Sequence, residues 1–395
     1  MKIVHVVLTL DPAGGGPPQV AVRLAAAQAA LGHDVHIVFY ATAAAQPRVD
    51  QQLARVPHRE KLCLHPVPDP GRYARLLGRS GRRTLRETCR DASFVHIHGV
   101  WGGLLRAAAD VARDARVPYC FRPAGMLDPW CLAQKAWNKK LALALGYRAA
   151  LNGASFIHTL NDDEKRLIGP LRLEARSIVM ANGVFIEEIA PLPSPGTFRS
   201  SRPALAAAPF ILFLSRLHHK KGLDLLVNAF AILASVHRTV RLVVAGPDDG
   251  AGGDLAAQVA ATGLGDRVDV IGPLYGRAKI AALVDAACFC LPSRQEGFSV
   301  AVLEAMACAV PVVISEACHF PEVAEVGAGT IVPLDAPALA KALGDVVADP
   351  GNAARMGAAG AALVRSRYTW EAIAGQSLRF YQEASGRSPA SRPGA

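Results

Sequence analysis

Two glutamates, Glu296 and Glu304, are the residues of this chain whose type and spacing most readily suggest chemistry. Glu296 lies in a polar turn after the apolar segment 288–291, and Glu304 lies eight residues later on the helix that this turn opens. Eight residues make about two helical turns, so both carboxylates are expected on one helix face, roughly 12 Å apart. That separation is too large for an acid and base acting on one bond.

Each glutamate could instead contact a different part of one elongated ligand. Backbone N–H groups of Gly297, Phe298 and Ser299 lie between them, and the N-terminus of a helix favours anions. A nucleotide sugar has this layout, with sugar hydroxyls, a diphosphate and ribose hydroxyls in sequence. Spacing alone favours a simpler interpretation, in which Glu296 is a helix-start acid and Glu304 a surface residue.

Apolar segments that alternate with helical patterns surround this stretch and predict an α/β fold with parallel sheets. The chain has 395 residues, more than one core usually holds, so two domains are expected. Residues 191–209 are rich in Pro, Ser and Ala, and we interpret them as a linker. The predicted domains are residues 1–195 and 205–369.

A glycine-rich turn follows the first predicted strand, Lys2 to Leu10, and precedes a helix predicted from Val20. Gly14, Gly15 and Gly16 would let a bound group approach the backbone at the start of this helix. The third glycine and the acidic residue of a dinucleotide-binding fingerprint are missing, which argues against a nicotinamide-dependent dehydrogenase. An ordinary structural turn is the alternative.

Further polar residues follow two predicted strands of the N-terminal half. His96, His98 and Trp101 come at the end of one strand, and Arg122 ends the next, before a loop with Asp128. Side chains at strand ends can line a cleft, so His98, Trp101 and Asp128 are candidates to line a site in the N-terminal half. The commoner fate of paired histidines is a satisfied hydrogen bond within the fold.

Positive charge is concentrated in the N-terminal half. The formal net charge is +10, and residues 1–190 contain 25 Lys and Arg against 16 Asp and Glu. Arginines recur at the three-and-four spacing of one helical face: Arg72, Arg75, Arg79, Arg82, Arg86 and Arg90. Such a face could bind an anionic membrane surface or could be solvated. Because aromatic residues are not interleaved with these arginines, no nucleic-acid partner is predicted.

A second basic group combines aromatic and cationic side chains, at Lys135, Trp137, Lys139, Lys140 and Arg148. No run of 18 or more uncharged apolar residues occurs, and the opening segment MKIVHVVLTL is interpreted as a buried strand, not a signal peptide. Eight cysteines are scattered along the chain, as in a reduced cytoplasmic protein, and Cys288 and Cys290 lack nearby partner ligands, so no metal site is predicted. We expect a cytoplasmic location with peripheral association at the inner face of the cytoplasmic membrane.

Two motifs together resemble the family 4 glycosyltransferases, which are retaining enzymes. They are LSRLHHKKGLDLLVNAF and, some eighty residues later, PSRQEGFSVAVLEAMACAVPVVIS. The glycine-rich turn, the segment from Asn182 to Val184 and the terminal YTWEAIAGQSLRFYQEA are also similar to that family, so the resemblance covers nearly the whole chain. It implies the GT-B fold, with two doubly wound Rossmann-like domains facing a central cleft. It also implies that a final helix, at about 370–386, returns to the N-terminal domain.

The resemblance implies roles for individual residues. The catalytic set is Glu296, Arg216, Lys221 and Arg122. Arg216 and Lys221 would hold the donor diphosphate, Glu296 the donor sugar and Glu304 the ribose. The donor-binding residues are Gly15, Gly16, Gly272, Pro273, Gly297, Phe298, Ser299, Val300 and Glu304. For Arg216 and Lys221, a basic turn that merely stays solvated is the alternative.

The implied reaction moves a sugar from a UDP- or GDP-activated donor to an acceptor hydroxyl without a metal or other cofactor. The leaving diphosphate takes the acceptor proton. Arg122 stands where many family members carry a histidine, and a guanidinium cannot act as a base. The expected acceptor is a lipid-linked glycan in exopolysaccharide, capsule or O-antigen assembly, and we place His98, Trp101 and Asp128 on the acceptor side of the site. A non-catalytic nucleotide-sugar or carbohydrate binding protein is the alternative, although it need not keep Glu296, Arg216 and Lys221.

Overall fold

The computed structural model describes residues 1–71, 79–205 and 208–386. The chain divides into two compact units, one formed by Met1–Asn182 with the chain from Trp370 onward, the other by Gly183–Thr369. Each unit is a parallel sheet with crossover helices, as the alternating pattern predicts. The predicted α/β class with two Rossmann-like domains is therefore confirmed.

Within the described residues, the first unit contains a seven-stranded parallel sheet in the order β3-β2-β1-β4-β5-β6-β7. Its strands are β1 Lys2–Val7, β2 Asp34–Ala41, β3 Leu62–Pro68, β4 Phe94–His98, β5 Tyr119–Arg122, β6 Phe156–Thr159 and β7 Ser177–Val179. Its α-helices are Gly16–Ala30, Gln46–Leu53, Arg82–Cys89, Gly103–Asp114, Pro129–Ala133, Ala136–Ala142, Arg148–Asn152, Asp162–Ile168 and Trp370–Ala384. The central strands β1 and β4 are buried on both faces, as helices on both sides of a sheet require, and are apolar apart from Lys2 and three histidines.

The second unit contains a six-stranded parallel sheet in the order β10-β9-β8-β11-β12-β13, again within the described residues. Its strands are β8 Phe210–Leu214, β9 Arg241–Ala245, β10 Val268–Val270, β11 Cys288–Leu291, β12 Val312–Ser315 and β13 Gly329–Val332. Its α-helices are Ile186–Ile189, Leu223–Val236, Gly252–Thr262, Gly276–Asp285, Val300–Ala307, Glu322–Glu325, Ala336–Ala348 and Pro350–Arg367.

Each sheet has one point at which the strand order reverses. In the first unit it lies between β1 and β4, and in the second between β8 and β11. At a reversal the loops from two neighbouring strands diverge to opposite faces and leave a crevice at the carboxyl edge, where ligands of open α/β sheets bind. The glycine turn after β1 and the basic turn after β8 both lie at such points.

Three sequence-based boundaries differ from the structure. The first helix begins at Gly16, before the predicted Val20, because Pro17 and Pro18 are tolerated in a first turn that needs no N–H donors. The second unit begins at Gly183, before the predicted boundary at residue 195. The segment interpreted as a linker is tied down there, because Asp285 accepts hydrogen bonds from the backbone of residues 196, 198 and 199 at 2.5, 2.8 and 3.0 Å.

The arginine stripe can be compared with the structure only in part. Arg72 and Arg75 lie outside the described residues. The described helix runs only from Arg82 to Cys89, so Arg79 precedes it. Arg82 turns towards the protein and donates to Asp110 at 3.1 Å, because that carboxylate lies on the neighbouring helix Gly103–Asp114. Arg82 is therefore not an outward-facing member of the predicted basic face, and the stripe over residues 72–90 as a whole stays a prediction.

Two glycines in helices predict stability changes of opposite sign. A Cβ at Gly357 would lie 2.0 Å from the backbone oxygen of Ala309, whereas a Cβ at Gly375 would meet nothing within 4 Å. We expect Gly357→Ala to destabilise its unit by about 1–3 kcal/mol. Gly375→Ala should stabilise its unit by up to about 1 kcal/mol, because alanine favours the helix. Thermal unfolding of both variants measures these shifts, and shifts of the same sign would contradict the packing argument.

Candidate active site

A carboxylate and a cation meet at the strand-order reversal of the second unit. Lys221, after β8, donates from its ammonium group to the Glu296 carboxylate, after β11, and both side chains are largely buried. The Ser293 hydroxyl donates to the same Glu296 oxygen at 2.7 Å. The Glu296 backbone N–H donates to the Ala317 carbonyl at 3.1 Å. Glu296 is thus fixed through both its side chain and its backbone.

The loops after β8 and β11 approach each other closely. Gly222 adopts φ +68°, and a Cβ there would lie 2.0 Å from the Pro292 carbonyl oxygen, so only glycine fits. The Arg294 backbone N–H donates to the Lys220 carbonyl at 2.7 Å. The Arg294 guanidinium donates two hydrogen bonds of 2.7 Å to the Asp224 carboxylate. These bonds hold the pKa of the Asp224 carboxyl below its ordinary value. The two loops therefore act as one supported platform for Lys221 and Glu296.

Arg216 differs from Lys221 in exposure. Its side chain is 59% exposed and forms an ion pair with Asp249 at 2.5 Å. Exposed pairs of this kind contribute about 0–1 kcal/mol, so the guanidinium can exchange its partner at little cost. The alternative of a basic turn that stays solvated therefore fits the exposed Arg216 but does not fit the shielded Lys221.

Glu304 is paired with a residue that the sequence did not single out. Lys279, on the helix Gly276–Asp285, donates to the Glu304 carboxylate at 2.6 Å, and both side chains are mostly shielded from solvent. The helix bearing Glu304 begins at Val300, so Glu296 lies before it. The separation expected for two glutamates on one helix therefore does not apply to this pair.

The remaining predicted donor residues of the second unit lie on nearby loops. Gly297, Phe298, Ser299 and Val300 lead into the helix with Glu304, and the Phe298 ring packs on Phe320 with centroids 4.8 Å apart. The Gly272 carbonyl accepts from Gly246 at 2.9 Å, and Gly272 has φ +72° with open space beside it. Pro273 is exposed.

In the first unit, the reversal between β1 and β4 carries Gly15, Gly16, His98 and Trp101. Gly15 has φ +83°, and open space lies where a Cβ would stand at Gly15 or Gly16. The Trp101 indole N–H donates to the Met126 carbonyl at 3.2 Å. These glycines leave room for a group to approach the backbone.

Asp128 has a structural contact that was not predicted. It is buried and caps the helix Pro129–Ala133, accepting from the Cys131 backbone N–H at 2.5 Å. This cap accounts for one carboxylate oxygen of a residue that we placed on the acceptor side.

Arg122 ends β5 in a buried position. Its guanidinium donates to the Asn182 side-chain oxygen at 2.6 Å, while its Nε is buried with no hydrogen-bond partner among the described residues. Burial lowers the Arg122 pKa to about 10, an effect that Glu164 opposes. Glu164 accepts from the backbone of Gly125 and Leu160 at 2.6 and 2.7 Å, and burial raises its pKa. No role was predicted for Glu164 or for Asn182, although the segment from Asn182 to Val184 contributed to the resemblance.

His96 and His98 belong to a buried network that also contains His5, Gln28, His158 and Tyr381. His5 contacts His98 at 2.8 Å and the Gln28 side-chain oxygen at 2.7 Å. His96 contacts Tyr381 at 2.5 Å and His158 at 3.3 Å. Gln28 donates to the Tyr381 hydroxyl at 3.3 Å, which joins the two halves.

The chemistry of these partners fixes every proton in the network. The His158 Nε2 can only donate to the Met180 carbonyl, at 2.8 Å, so its Nδ1 accepts from His96, whose other nitrogen accepts from Tyr381. The Gln28 oxygen can only accept, so His5 donates to it and accepts from His98. The remaining His98 nitrogen, Nδ1, is a buried acceptor without a partner among the described residues.

Two groups of side chains in the described residues have metal-ligand chemistry: His5 with His96 and His98, and Asp34 with His36 and Cys63. In the histidine group the only ring nitrogen outside the hydrogen-bond chain is the His98 Nδ1. The arrangement of the described residues therefore accounts for the histidines as a hydrogen-bonded network. Buried imidazoles of this kind stay neutral, because burial lowers their pKa.

Comparison with known proteins gives family matches in both units. One family model, described as "Glycosyl transferases group 1", matches residues 198–362. Another, described as "Glycosyl transferase 4-like domain", matches residues 15–183. Together the two matches include Glu296, Lys221 and Arg122.

Curated relatives carry names of sugar-transferring enzymes. A D-inositol 3-phosphate glycosyltransferase of Xylanimonas cellulosilytica is 33% identical over 247 residues, covering 57% of this chain and 58% of the relative. A phosphatidyl-myo-inositol mannosyltransferase of Mycobacterium leprae is 31% identical over 218 residues, covering 53% of this chain and 54% of the relative. The chain thus spans somewhat more than half the length of these relatives.

A solved structure extends the similarity to the whole chain. The Anabaena protein Alr3699/HepE, crystallised with UDP and glucose, has a TM-score of 0.76 at 20% identity, covering 97% of this chain and 100% of that protein. At this identity the similarity concerns the fold. None of the helices in the described residues combines the length and apolar character needed to cross a membrane.

Proposed function

We propose that this chain, which belongs to the family 4 glycosyltransferases and has the GT-B fold, transfers a sugar from a nucleotide-activated donor to an acceptor hydroxyl. The donor is a UDP- or GDP-sugar, and the configuration at the anomeric carbon is retained. The observation that supports this most directly is the contact between Lys221 and Glu296. These residues come from loops that meet at the strand-order reversal of the second unit, where ligands of such sheets bind.

Lys221 and Arg216 are proposed to bind the donor diphosphate. Lys221 is shielded and already oriented by Glu296, whereas Arg216 is exposed and weakly held by Asp249. A diphosphate beside Lys221 would compete for its ammonium group. The Glu296 carboxylate would then be available to accept hydrogen bonds from donor-sugar hydroxyls. Glu304, positioned by Lys279, is proposed to accept from the ribose hydroxyls.

In the proposed reaction, the bond between the anomeric carbon and the diphosphate oxygen breaks and a bond to the acceptor oxygen forms on the same face. The acceptor proton moves to the leaving diphosphate oxygen. Lys221, Arg216 and the backbone before the helix Val300–Ala307 would stabilise the negative charge on that group. We propose that these cations make a divalent metal unnecessary and that no other cofactor takes part.

The acceptor is proposed to be a lipid-linked glycan in the assembly of a surface polysaccharide, at the inner face of the cytoplasmic membrane. The basic first unit supports an anionic acceptor, and the Mycobacterium leprae relative is named for a phosphatidylinositol substrate. His98 and Trp101 are proposed to lie on the acceptor side with Asp128. Arg122 is proposed to contact the acceptor or to steady developing negative charge, since its buried Nε has no partner among the described residues.

Thermal-shift measurements with UDP, GDP and a panel of their sugars test donor binding, because a ligand that binds only the folded state raises its stability. We expect either the UDP series or the GDP series to raise the transition temperature. Lys221→Ala should lower the affinity for that series by about tenfold to a hundredfold, because one charged hydrogen bond is lost. Lys341→Ala, which removes an exposed lysine paired with Asp345, is the control and should change nothing.

Transfer itself is followed with the nucleotide sugar that binds and an extract of lipid-linked glycans, by release of nucleoside diphosphate. Release of nucleoside diphosphate that requires both the nucleotide sugar and the glycan extract supports the proposed transferase activity. If a nucleotide sugar binds but no acceptor causes release of nucleoside diphosphate, the protein is instead a non-catalytic nucleotide-sugar binding protein. An absence of binding by every nucleotide would overturn both functions.

A further inference from the structure

The first unit leaves four large apolar side chains in solvent between residues 130 and 145. Trp130 is 49% exposed, Trp137 84%, Leu141 59% and Leu145 68%. Single exposed apolar residues are common, whereas a group of tryptophans and leucines in one segment of a soluble protein marks an interaction surface. We name residues 129–148 the tryptophan segment.

The tryptophan segment is basic and contains no acidic residue of its own. The chain contains no Asp or Glu from Pro129 to Asn161. Lys135, Lys140 and Arg148 are exposed beside the apolar side chains. The Lys140 ammonium lies 5.6 Å from the Trp137 ring centre, so cation and aromatic share one side of the helix Ala136–Ala142.

The backbone of the tryptophan segment is held firmly on its inner side. Leu143 and Tyr147 pack against the core of the first unit. The Tyr147 hydroxyl accepts from the Gly102 backbone N–H at 3.2 Å. Arg106 donates to the Leu145 carbonyl at 2.9 Å, beside the turn at Gly146, which has φ +109°. The inner side therefore faces the protein, while Trp137, Leu141 and Leu145 remain outside.

The charge pattern identifies the occupant of this surface. Lysine is depleted at protein–protein interfaces, where its ammonium group would have to be desolvated. At a membrane surface, tryptophan sits at the headgroup level, leucine enters the acyl region, and lysine reaches outward to anionic headgroups. Exposed apolar side chains with exposed lysines beside them, in a segment without acidic residues, suit a bilayer with negative charge better than a second protein.

We propose that the tryptophan segment docks the protein on an anionic lipid bilayer. It differs from the arginine stripe, whose Arg82 is turned inward to Asp110. The docking surface adjoins Trp101, since the Lys139 ammonium lies 5.8 Å from that ring centre. Docking would thus place a membrane next to a residue that we assign to the acceptor side, although lipid binding itself does not depend on that assignment.

Sedimentation of the full chain with vesicles tests the proposal without any enzyme assay. We expect binding to vesicles of phosphatidylcholine with phosphatidylglycerol, weaker binding at high salt, and little binding to phosphatidylcholine alone. Trp137→Ser with Leu141→Ser should reduce the partition coefficient at least about tenfold, because each side chain loses its burial in the bilayer. Lys135→Glu with Lys140→Glu should reduce it about tenfold or more.

Two matched pairs of substitutions serve as controls. Ile232→Ser with Val236→Ser removes exposed apolar side chains of the second unit, and Arg86→Glu with Arg90→Glu reverses exposed charges of the arginine stripe. Both should bind vesicles like the original chain. Since Trp137 and Leu141 are exposed, their variants should keep the thermal transition. Unchanged vesicle binding by the variant with Trp137→Ser and Leu141→Ser would overturn the proposal. It would also be overturned if size-exclusion chromatography showed that the original chain is a dimer and that the variant loses binding only because it is a monomer.

Discussion

Replacing Glu296 with alanine should reduce sugar transfer by about a hundredfold to a thousandfold, while the fold stays intact. The loss of a group that hydrogen-bonds the reacting part of a substrate typically has this size. Glu296 also neutralises Lys221 and accepts from Ser293 at 2.7 Å, so the alanine variant removes two contacts within the platform. Transfer rates over a range of donor concentrations measure the effect.

Glu296→Gln separates the roles of charge and contact. Glutamine keeps an oxygen for Ser293 and for a sugar hydroxyl but loses the negative charge beside Lys221. If the carboxylate mainly positions the donor sugar, glutamine should retain more activity than alanine. If its charge matters for the developing positive charge of the sugar, both variants should lose a similar amount.

Two control variants and the thermal transition make the Glu296 result decisive. Glu304→Gln should raise the KM for the donor with a smaller change in kcat, because its proposed contact is remote from the bond that breaks. Glu325→Gln, at an exposed glutamate of the same unit, should behave like the original chain. Near-normal turnover by Glu296→Ala, with an unchanged thermal transition, would disprove the proposed catalytic role.

The strands and loops that carry Glu296 and Lys221 could be predicted from local pattern. The continuous apolar segment 288–291, bounded by a polar turn, identified β11 with the bounds that the structure has. Their position at a strand-order reversal depends on the order of the whole sheet, which no local segment encodes. The resemblance to a family, not periodicity, supplied the functional interpretation of these loops.

Contacts between distant segments could not be predicted. Lys279 and Glu304 lie 25 residues apart, and a lysine on a helix ordinarily indicates a solvated position. Residues 191–209 have the composition of a linker, yet Asp285, 87 residues beyond Phe198, binds their backbone. Composition describes what a segment can do alone, whereas a buried carboxylate from elsewhere satisfies its N–H groups.

The histidines show the same limit. Their interpretation as satisfied groups within the fold holds for His96, which has a partner at each ring nitrogen. One of these partners, Tyr381, is 285 residues away, on the helix Trp370–Ala384. Two imidazoles on one strand face cannot reveal such a partner. Nor could they reveal that His98 keeps one buried nitrogen without a partner in the described chain.

Acidification below pH 6.5 should destabilise the first unit through its buried histidines, although protonation of Glu164, whose pKa burial raises, acts in the opposite direction. Burial lowers the pKa of His5 to about 4 and that of His158 to about 3, and it lowers the pKa of His96 and His98 as well. The charge of Arg122 adds to the effect at the last three. Folded imidazoles therefore stay neutral at a pH where unfolded ones, with a pKa near 6.5, bind protons.

The sign follows from proton linkage. Above pH 6.5 both states are neutral and stability is complete, while below it the unfolded state binds more protons and stability falls towards pH 4. Each such histidine contributes up to about 1.4 kcal/mol per pH unit in this window.

Hydrogen exchange of the full chain should show β4 and the helix Trp370–Ala384 losing protection on acidification, with β8 and β9 changing less. His158→Asn should weaken this dependence by about one proton, because asparagine does not titrate, whereas His237→Asn, outside the network, should leave it unchanged. Equal loss of protection in both units, or a pH dependence unaltered by His158→Asn, would show that the buried network does not control acid stability.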